Sequence, residues 1–251
     1  MELSTRVVTV MRAEHAALSR VSLALRSGEL VAICGPNGAG KSTLLTALSG
    51  IELPELGGVF LGEELLRSVP PRERAKRIGY LPQGGEIAWD VSVARLVALG
   101  RLPQGDSERP DGMAAIAHAL AVCDLEALAE RPVSSLSGGE RARALLARVL
   151  AGEPRWLLAD EPLAALDLAH QLRLLCVLHA AAADGCGVVL VVHDLALAMN
   201  HADRVIVLDN GEVAADGAPE EALSSALLMR VWGVDARWIG EPGQRALTIR
   251  R

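Results

Sequence analysis

The sequence is poor in aromatic residues: one Phe, one Tyr and four Trp in 251 residues. With hydrophobic residues at 51%, its core must be built mainly from Ala, Leu and Val. Basic residues are also scarce, 25 against 31 acidic ones, for a net charge of −6. No Lys/Arg cluster of the kind that tracks a phosphodiester backbone is present, so DNA and RNA are not expected partners. The four cysteines, Cys34, Cys123, Cys176 and Cys186, show no C-x-x-C spacing. That points to reduced, buried thiols rather than a zinc site or a disulfide framework. No run reaches the ~20 apolar residues needed to span a bilayer. The start, "MELSTRVVTV", lacks the basic and apolar regions of a secretory signal. A soluble chain is expected, one that can still dock on a membrane protein. Internal repeats and low-complexity tracts are absent.

What is there alternates between strands and helices. "STRVVTV" and "SRVSLALRSGEL" read as strands with a turn at Ser27-Gly28. "LVAIC" (Leu30 to Cys34) is a short apolar strand, followed by a Gly-rich loop and the helical "KSTLLTALSG". "RIGYLP" is a further strand, and Asp90 to Glu130 is helical in pattern. The apolar "RWLLAD" precedes a long helix from Asp167 to Asp184. "GVVLVV" has the continuous β-branched character of a parallel strand covered on both faces. Asn210-Gly211 between two apolar stretches signals a hairpin. After Pro219 the tail reads as helical and then irregular. This order predicts a mainly parallel α/β sheet.

Three stretches carry chemistry. Gly35-Pro36-Asn37-Gly38-Ala39-Gly40-Lys41-Ser42-Thr43 fits G-x-x-x-x-G-K-[ST] between a strand and a helix. In such a P-loop, consecutive N–H groups wrap phosphates, Lys41 meets the β/γ oxygens and the Ser42 hydroxyl meets Mg²⁺. A chance Gly-rich turn would not sit in that context. "RWLLADEP" ends an apolar strand in Asp160, a carboxylate suited to Mg²⁺, and Glu161, suited to orient or deprotonate an attacking water. Alone, two acids at a strand end would be merely solvated; beside a P-loop they read as catalytic. Third, Ser137 and Glu140 stand three apart before a Leu/Ala/Arg run, with Gly138 and Gly139 between. That is a capping box, and such a helix start is a second anion site.

These motifs together resemble the ATP-binding-cassette (ABC) ATPases. The order is the P-loop, a Gln after a strand ("YLPQ", Gln83), the signature "LSGGE", then "LLADEP", "AALD" and a His after a strand ("VVHD", His193). The resemblance spans nearly the whole chain. It implies an α/β P-loop NTPase of ABC type, with an N-terminal antiparallel β region and an inserted helical subdomain. The implied divisions are 1–89 with 153–220 as catalytic core, 90–152 as the helical subdomain and 221–251 as a tail. It also implies two cassettes paired head to tail, each ATP lying between one P-loop and the partner's signature. The second anion site then serves the partner's nucleotide. Gln83 would reach Mg²⁺ and water, His193 the γ-phosphate, and Asp167 the dimer interface. Ser137, Gly138, Gly139 and Glu140 would cover the partner's γ-phosphate. The remaining histidines, His15, His118, His170, His179 and His201, show no metal pattern and read as structural or solvated. The sequence departs from the family where an aromatic usually stacks on adenine: counting places Arg12 there, and no aromatic precedes Phe60. Cation–π or planar stacking on Arg12 would replace it.

Without membrane segments of its own, such a cassette implies two separate permease subunits, met at the cytoplasmic face of the membrane. Residues Gln83 to Val93 would engage a permease helix. A substrate-binding protein would be reached only through the permease. The stretch "AWDVSVARLVALGRLP" and "ALDLAHQ" resemble importer ATPases for iron–siderophore, haem and vitamin B12, with haem favoured. Other readings are a cassette for a different cargo, a non-transport ABC ATPase acting on a soluble or nucleic-acid partner, and a subunit that does not hydrolyse. One cassette, no sustained heptads and no paired C-x-x-C oppose the second, and Glu161 with His193 oppose the third.

Overall fold

The computed structural model describes residues 1–13, 15–84, 90–164 and 166–249. The first strands are β1 (Leu3–Arg12), β2 (His15–Leu25) and β3 (Leu30–Cys34), followed by α1 (Lys41–Ser49), β4 (Leu56–Leu61) and β5 (Glu64–Leu65). The middle of the chain carries α2 (Pro71–Arg77), β6 (Ile78–Leu81), α3 (Val93–Ala98), α4 (Pro110–Val122), α5 (Gly138–Ala151), β7 (Trp156–Asp160) and α6 (Leu168–Ala183). The last third holds β8 (Gly187–Val191), α7 (Leu195–His201), β9 (Arg204–Asp209) and β10 (Glu212–Gly217). It ends in α8 (Pro219–Ala222), α9 (Ser225–Trp232), β11 (Ala236–Ile239) and β12 (Ala246–Ile249). Two compact units emerge, one of residues 1–69 with 187–251 and one of residues 70–186.

In the first unit β3 runs parallel to β8 on one side and to β9 on the other. Every residue of β3 and of β8 is buried, as their unbroken apolar runs require. The β9–β10 hairpin turns at Asn210 (φ 46°) and Gly211 (φ 78°), the double positive φ of a type I′ turn. A second sheet, in the order β2-β1-β4-β5, is antiparallel throughout. Bulges interrupt β1, and Val7 (φ 51°) lies in the left-handed region. The tail corrects its expected irregularity: β11 and β12 form an antiparallel hairpin. Trp238 Nε1 donates to Leu223 O at 2.7 Å and fastens that hairpin beside α9.

In the second unit β6 and β7 pair in parallel, Leu81 opposite Ala159. The stretch 90–130, expected to be helical, is broken into α3, α4 and short 3₁₀ turns. Arg101 explains how these pieces stay together. It is 4% exposed, and its guanidinium makes two bonds to the Asp106 carboxylate (2.9 and 2.6 Å) and one to Ala151 O (3.0 Å). A fourth bond reaches Glu153 at 2.6 Å. The fork geometry of arginine suits such bidentate pairing, which holds the Asp106 carboxyl below its ordinary range. The "LGR" stretch is therefore a structural clasp on the C-terminal end of α5.

The four cysteines are free thiols. Burial pushes Cys34 and Cys123 up to about 12 and Cys186 up to about 11. Cys176 departs from the expectation of burial and lies exposed on α6. Among the described residues no helix is long and apolar enough to cross a membrane.

A Cβ at Gly100 would stand 1.9 Å from Arg148 O, a backbone atom that cannot swing aside. Gly100→Ala is therefore expected to lower stability by about 1–3 kcal/mol, seen as a lower urea midpoint at unchanged slope.

Candidate functional site

The P-loop of the first unit is shaped by backbone contacts. Gly35 (φ 151°) follows β3, and a Cβ there would come within 2.2 Å of Leu208 O. At Gly40 (φ 96°) a Cβ would meet Ala17 O at 2.3 Å. Ala39 O accepts from Gly211 N at 3.2 Å, so the β9–β10 turn braces the loop from outside. Lys41 is 6% exposed and donates through Nζ to Gly35 O (2.8 Å) and Pro36 O (2.9 Å). Its ammonium is thus aimed into the loop's own curve. Helix α1 has no side-chain cap and no acidic residue in its first turn. Its N-terminal N–H groups are left for an anion, and the helix dipole favours one. Ser42 is exposed at that end, and Asn37 and Gly38 are exposed on the loop's rim. These features fit a polyphosphate. His193 leaves the C-terminal end of β8, whose neighbour β3 leads into the P-loop, so both emerge at one sheet edge. Asp194 follows and caps α7 by accepting from Ala196 N and Leu197 N at 2.8 and 3.2 Å.

Arg12 ends β1 with its side chain 61% exposed, in an ion pair with Glu52 at 2.7 Å. Glu52 also accepts from Thr46 Oγ1 of α1 at 3.0 Å. Glu52, held in turn by Thr46, anchors the Arg12 guanidinium from one side.

The second unit gathers Gln83, Asp160, Glu161 and Gly138 around one cavity of about 510 Å³. The parallel pairing of β6 and β7 is the cause: both strands end at the same edge, one in Gln83 and one in Asp160 and Glu161. Gln83 Nε2 donates to Glu161 Oε2 at 2.8 Å, a contact between residues 78 apart in the chain. Glu161 has φ 51°, a left-handed backbone that costs about 1–3 kcal/mol and swings the chain sharply away from β7. Asp160 is 4% exposed, and an ionised carboxylate so dry is a group that a cation offsets. Within this unit Gln83 and Asp160 offer oxygen donors, hard ligands of the kind that suit Mg²⁺ in chemistry. Among the described residues no cluster of three or more His, Cys, Asp or Glu could hold a metal.

The capping box is present. Ser137 Oγ accepts from Glu140 N at 3.3 Å, and Glu140 Oε2 accepts from Ser137 N at 2.8 Å. The Ser137 N–H and then its hydroxyl hold the Glu140 carboxyl below its ordinary range. The box consumes two N–H groups of the helix start and leaves those of Gly138 and Gly139 for an anion. A Cβ at Gly138 would meet nothing within 4 Å among the described residues, so their packing does not demand glycine there. Asp167 caps α6, accepting from His170 N at 2.9 Å. Of the stretch Gln83 to Val93, residues 85–89 lie outside the described residues, as does Ala165 in "AALD".

A family model described as "ABC transporter" matches residues 18–164. The chain belongs to the ABC transporter family. As an ATPase of that family it binds ATP and hydrolyses it. The cassette is similar to proteins named hemin import ATP-binding protein. That of Rhodococcus jostii is 44% identical over 236 residues, covering 94% of this chain and 81% of the relative. That of Myxococcus xanthus is 43% identical over 256 residues, covering 97% and 95%. Among solved structures, the cassette resembles an inward-facing ABC transporter of metal-chelate type, with a TM-score of 0.80, 26% identity and coverage of 99% and 96%. It also resembles a dimeric ATP-binding cassette holding ADP and Pi, with a TM-score of 0.75, 29% identity and coverage of 86% and 98%.

Two outcomes are expected at the signature helix. Gly138→Ala should leave the thermal midpoint unchanged while ATPase activity collapses, since none of the described residues occupies that space. Glu140→Ala should lose stability relative to the parent at pH 6. Because the folded carboxyl is depressed, its contribution is present above the ordinary value of 4.5 and fades as pH falls through the depressed one. Melts of both proteins down a pH series should therefore converge in strongly acidic solution.

Proposed function

We propose that this cassette is the ATP-hydrolysing subunit of a membrane importer whose cargo is a metal chelate, haem before iron–siderophore or cobalamin. The observation that carries the cargo is the similarity to hemin import ATP-binding proteins over nearly the full length of the chain. The resemblance to a transporter described as of metal-chelate type supports it.

In this reading two copies pair head to tail beneath two permease subunits, at the cytoplasmic face. Each copy offers its P-loop, Gly35 to Thr43, to one ATP and its signature, Ser137 to Glu140, to the other. Lys41 and the N-terminal N–H groups of α1 bind the β/γ oxygens, and Arg12 packs against adenine. The guanidinium is suited to that task because Glu52, itself held by Thr46, already fixes it. Ser42, Gln83 and Asp160 would hold Mg²⁺, which would supply positive charge to the phosphates. Glu161 takes or orients the proton of the attacking water, and His193 donates to the γ-phosphate. The Gln83–Glu161 bond couples that carboxylate to the segment expected to meet the permease. Asp167 crosses to the partner copy. Leu168 and Leu172, one turn apart on α6 and 72% and 48% exposed, give that region an apolar face fit for a second protein surface. ATP closes the pair, the permease changes its facing, and hydrolysis reopens it.

Glu161→Gln is expected to keep ATP binding, lose roughly a hundredfold or more in turnover, and form an ATP-dependent dimer on size exclusion. The tagged variant, drawn from its native cells in mild detergent with ATP, should bring down a polytopic membrane protein in equal amount. A binding protein recovered with it should carry haem or a related chelate. Turnover at the parent rate would remove Glu161 as the base. Recovery of soluble proteins or nucleic acid alone would replace transport with a non-transport role.

A further inference from the structure

His170 reads from sequence as a structural or solvated residue, yet its ring is engaged beyond what helix capping needs. Its backbone N–H already donates to Asp167 Oδ1 at 2.9 Å, which completes the cap of α6. The ring's Nδ1 meets the same oxygen at 2.8 Å. That second bond adds nothing to the backbone's satisfaction; its effect is to fix where the carboxylate points. Together the two bonds, the backbone one first, hold the Asp167 carboxyl below its ordinary range. The next residue acts on the same loop: Gln171 Nε2 donates to Leu163 O at 3.1 Å. The first turn of α6 therefore grips the chain that follows Glu161 in two places.

The other side of the imidazole faces a different element. His170 lines a cavity of about 20 Å³ with Cys123, Asp124, Arg143 and Arg173. Arg143 belongs to α5, the helix that begins at the signature, and its side chain is 11% exposed. Its Nη1 donates to Cys123 O at 2.8 Å and Asp124 O at 2.7 Å, closing the C-terminal end of α4. The Asp124 carboxylate receives Arg173 Nη1 at 3.0 Å and lies 3.5 Å from Arg143 Nη1. The Arg143 Nε, however, is buried with no hydrogen-bond partner among the described residues. An orphaned buried donor demands an account, and a cavity of this size admits one water. With Nδ1 donating to a carboxylate, the neutral ring's Nε2 is an acceptor. A water that accepts from Arg143 Nε and donates to His170 Nε2 satisfies both.

We propose that His170 is a positioning residue: it sets the Asp167 carboxylate and, through one water in this cavity, fastens it to Arg143 of the signature helix. The helix that carries the signature and the carboxylate that crosses to the partner copy then move as one body. The proposal rests on the reading of Asp167 as a residue that acts across the dimer.

Steady-state ATPase measurements on the full chain test it, with thermal melts alongside. His170→Phe keeps the ring's bulk and the backbone cap but removes both ring hydrogen bonds. Its kcat is expected to fall roughly tenfold, as for loss of other orienting partners, with KM for ATP and the melting midpoint held. His170→Gln, which can still donate to Asp167, should recover most of that loss. Asp167→Asn should be slow as well, and the double variant no slower than Asp167→Asn alone, because the two changes act through one group. Arg143→Lys, which removes Nε, should likewise fail to multiply with His170→Phe. A parent-rate His170→Phe beside a slow Asp167→Asn would overturn the positioning role and leave Asp167 in place. Multiplying effects in either pair would overturn it too. A parent-rate Asp167→Asn would sink both the proposal and the dimer role beneath it.

Discussion

The nucleotide loop is gripped by main chain on two sides, and the first unit is organised around that grip. Leu208 O presses on Gly35 and Ala17 O on Gly40, each closer to a notional Cβ than any real side chain could tolerate. Because both pressing atoms are carbonyls of strands, neither can be displaced by a rotamer change. The loop keeps its curve only while β2 and β9 keep their register. The bulged antiparallel sheet and the β9–β10 turn are thus part of the phosphate site, though neither carries a catalytic group. The same enclosure explains Lys41. A buried ammonium needs compensation, and the carbonyls of Gly35 and Pro36 supply it at hydrogen-bond distance.

The second unit solves a different problem, which is to hold a helix whose first N–H groups are left open. Helix α5 is tied near its C-terminal end by Arg101 and in its first half by Arg143. Both are arginines with little exposure, and both spend their donors on carbonyls at the ends of neighbouring helices as well as on carboxylates. Guanidinium suits this because its fork meets several acceptors at once without losing its charge. A helix core of Ala and Leu, with few aromatics to interlock, gains definition from such polar clasps.

Features encoded within about ten residues were legible in the sequence. The P-loop, the capping box at Ser137 and Glu140, the Asn210-Gly211 turn and the buried strands β3 and β8 each declare themselves by local spacing or composition. Features that pair distant residues were not. Gln83 meets Glu161 across 78 positions and Arg12 meets Glu52 across 40, and neither pairing has a period or a motif to announce it. β5 and the C-terminal hairpin were missed for another reason: their strands are only two to four residues long and largely uncovered, so alternation is too brief to read. Cys176 was misplaced because the usual burial of cysteines does not say which face of α6 is covered.

The family, the phosphate-binding chemistry and the order of the motifs are all written in linear spacing, because a loop that wraps phosphates and a helix that caps itself are built from neighbours along the chain. Which carboxylate the Gln83 amide touches, how the Asp167 carboxylate is steered, and why Arg101 is a clasp came from folding alone. Those facts rest on strands paired in parallel and helices packed side by side, which bring together groups that no local interaction could have joined.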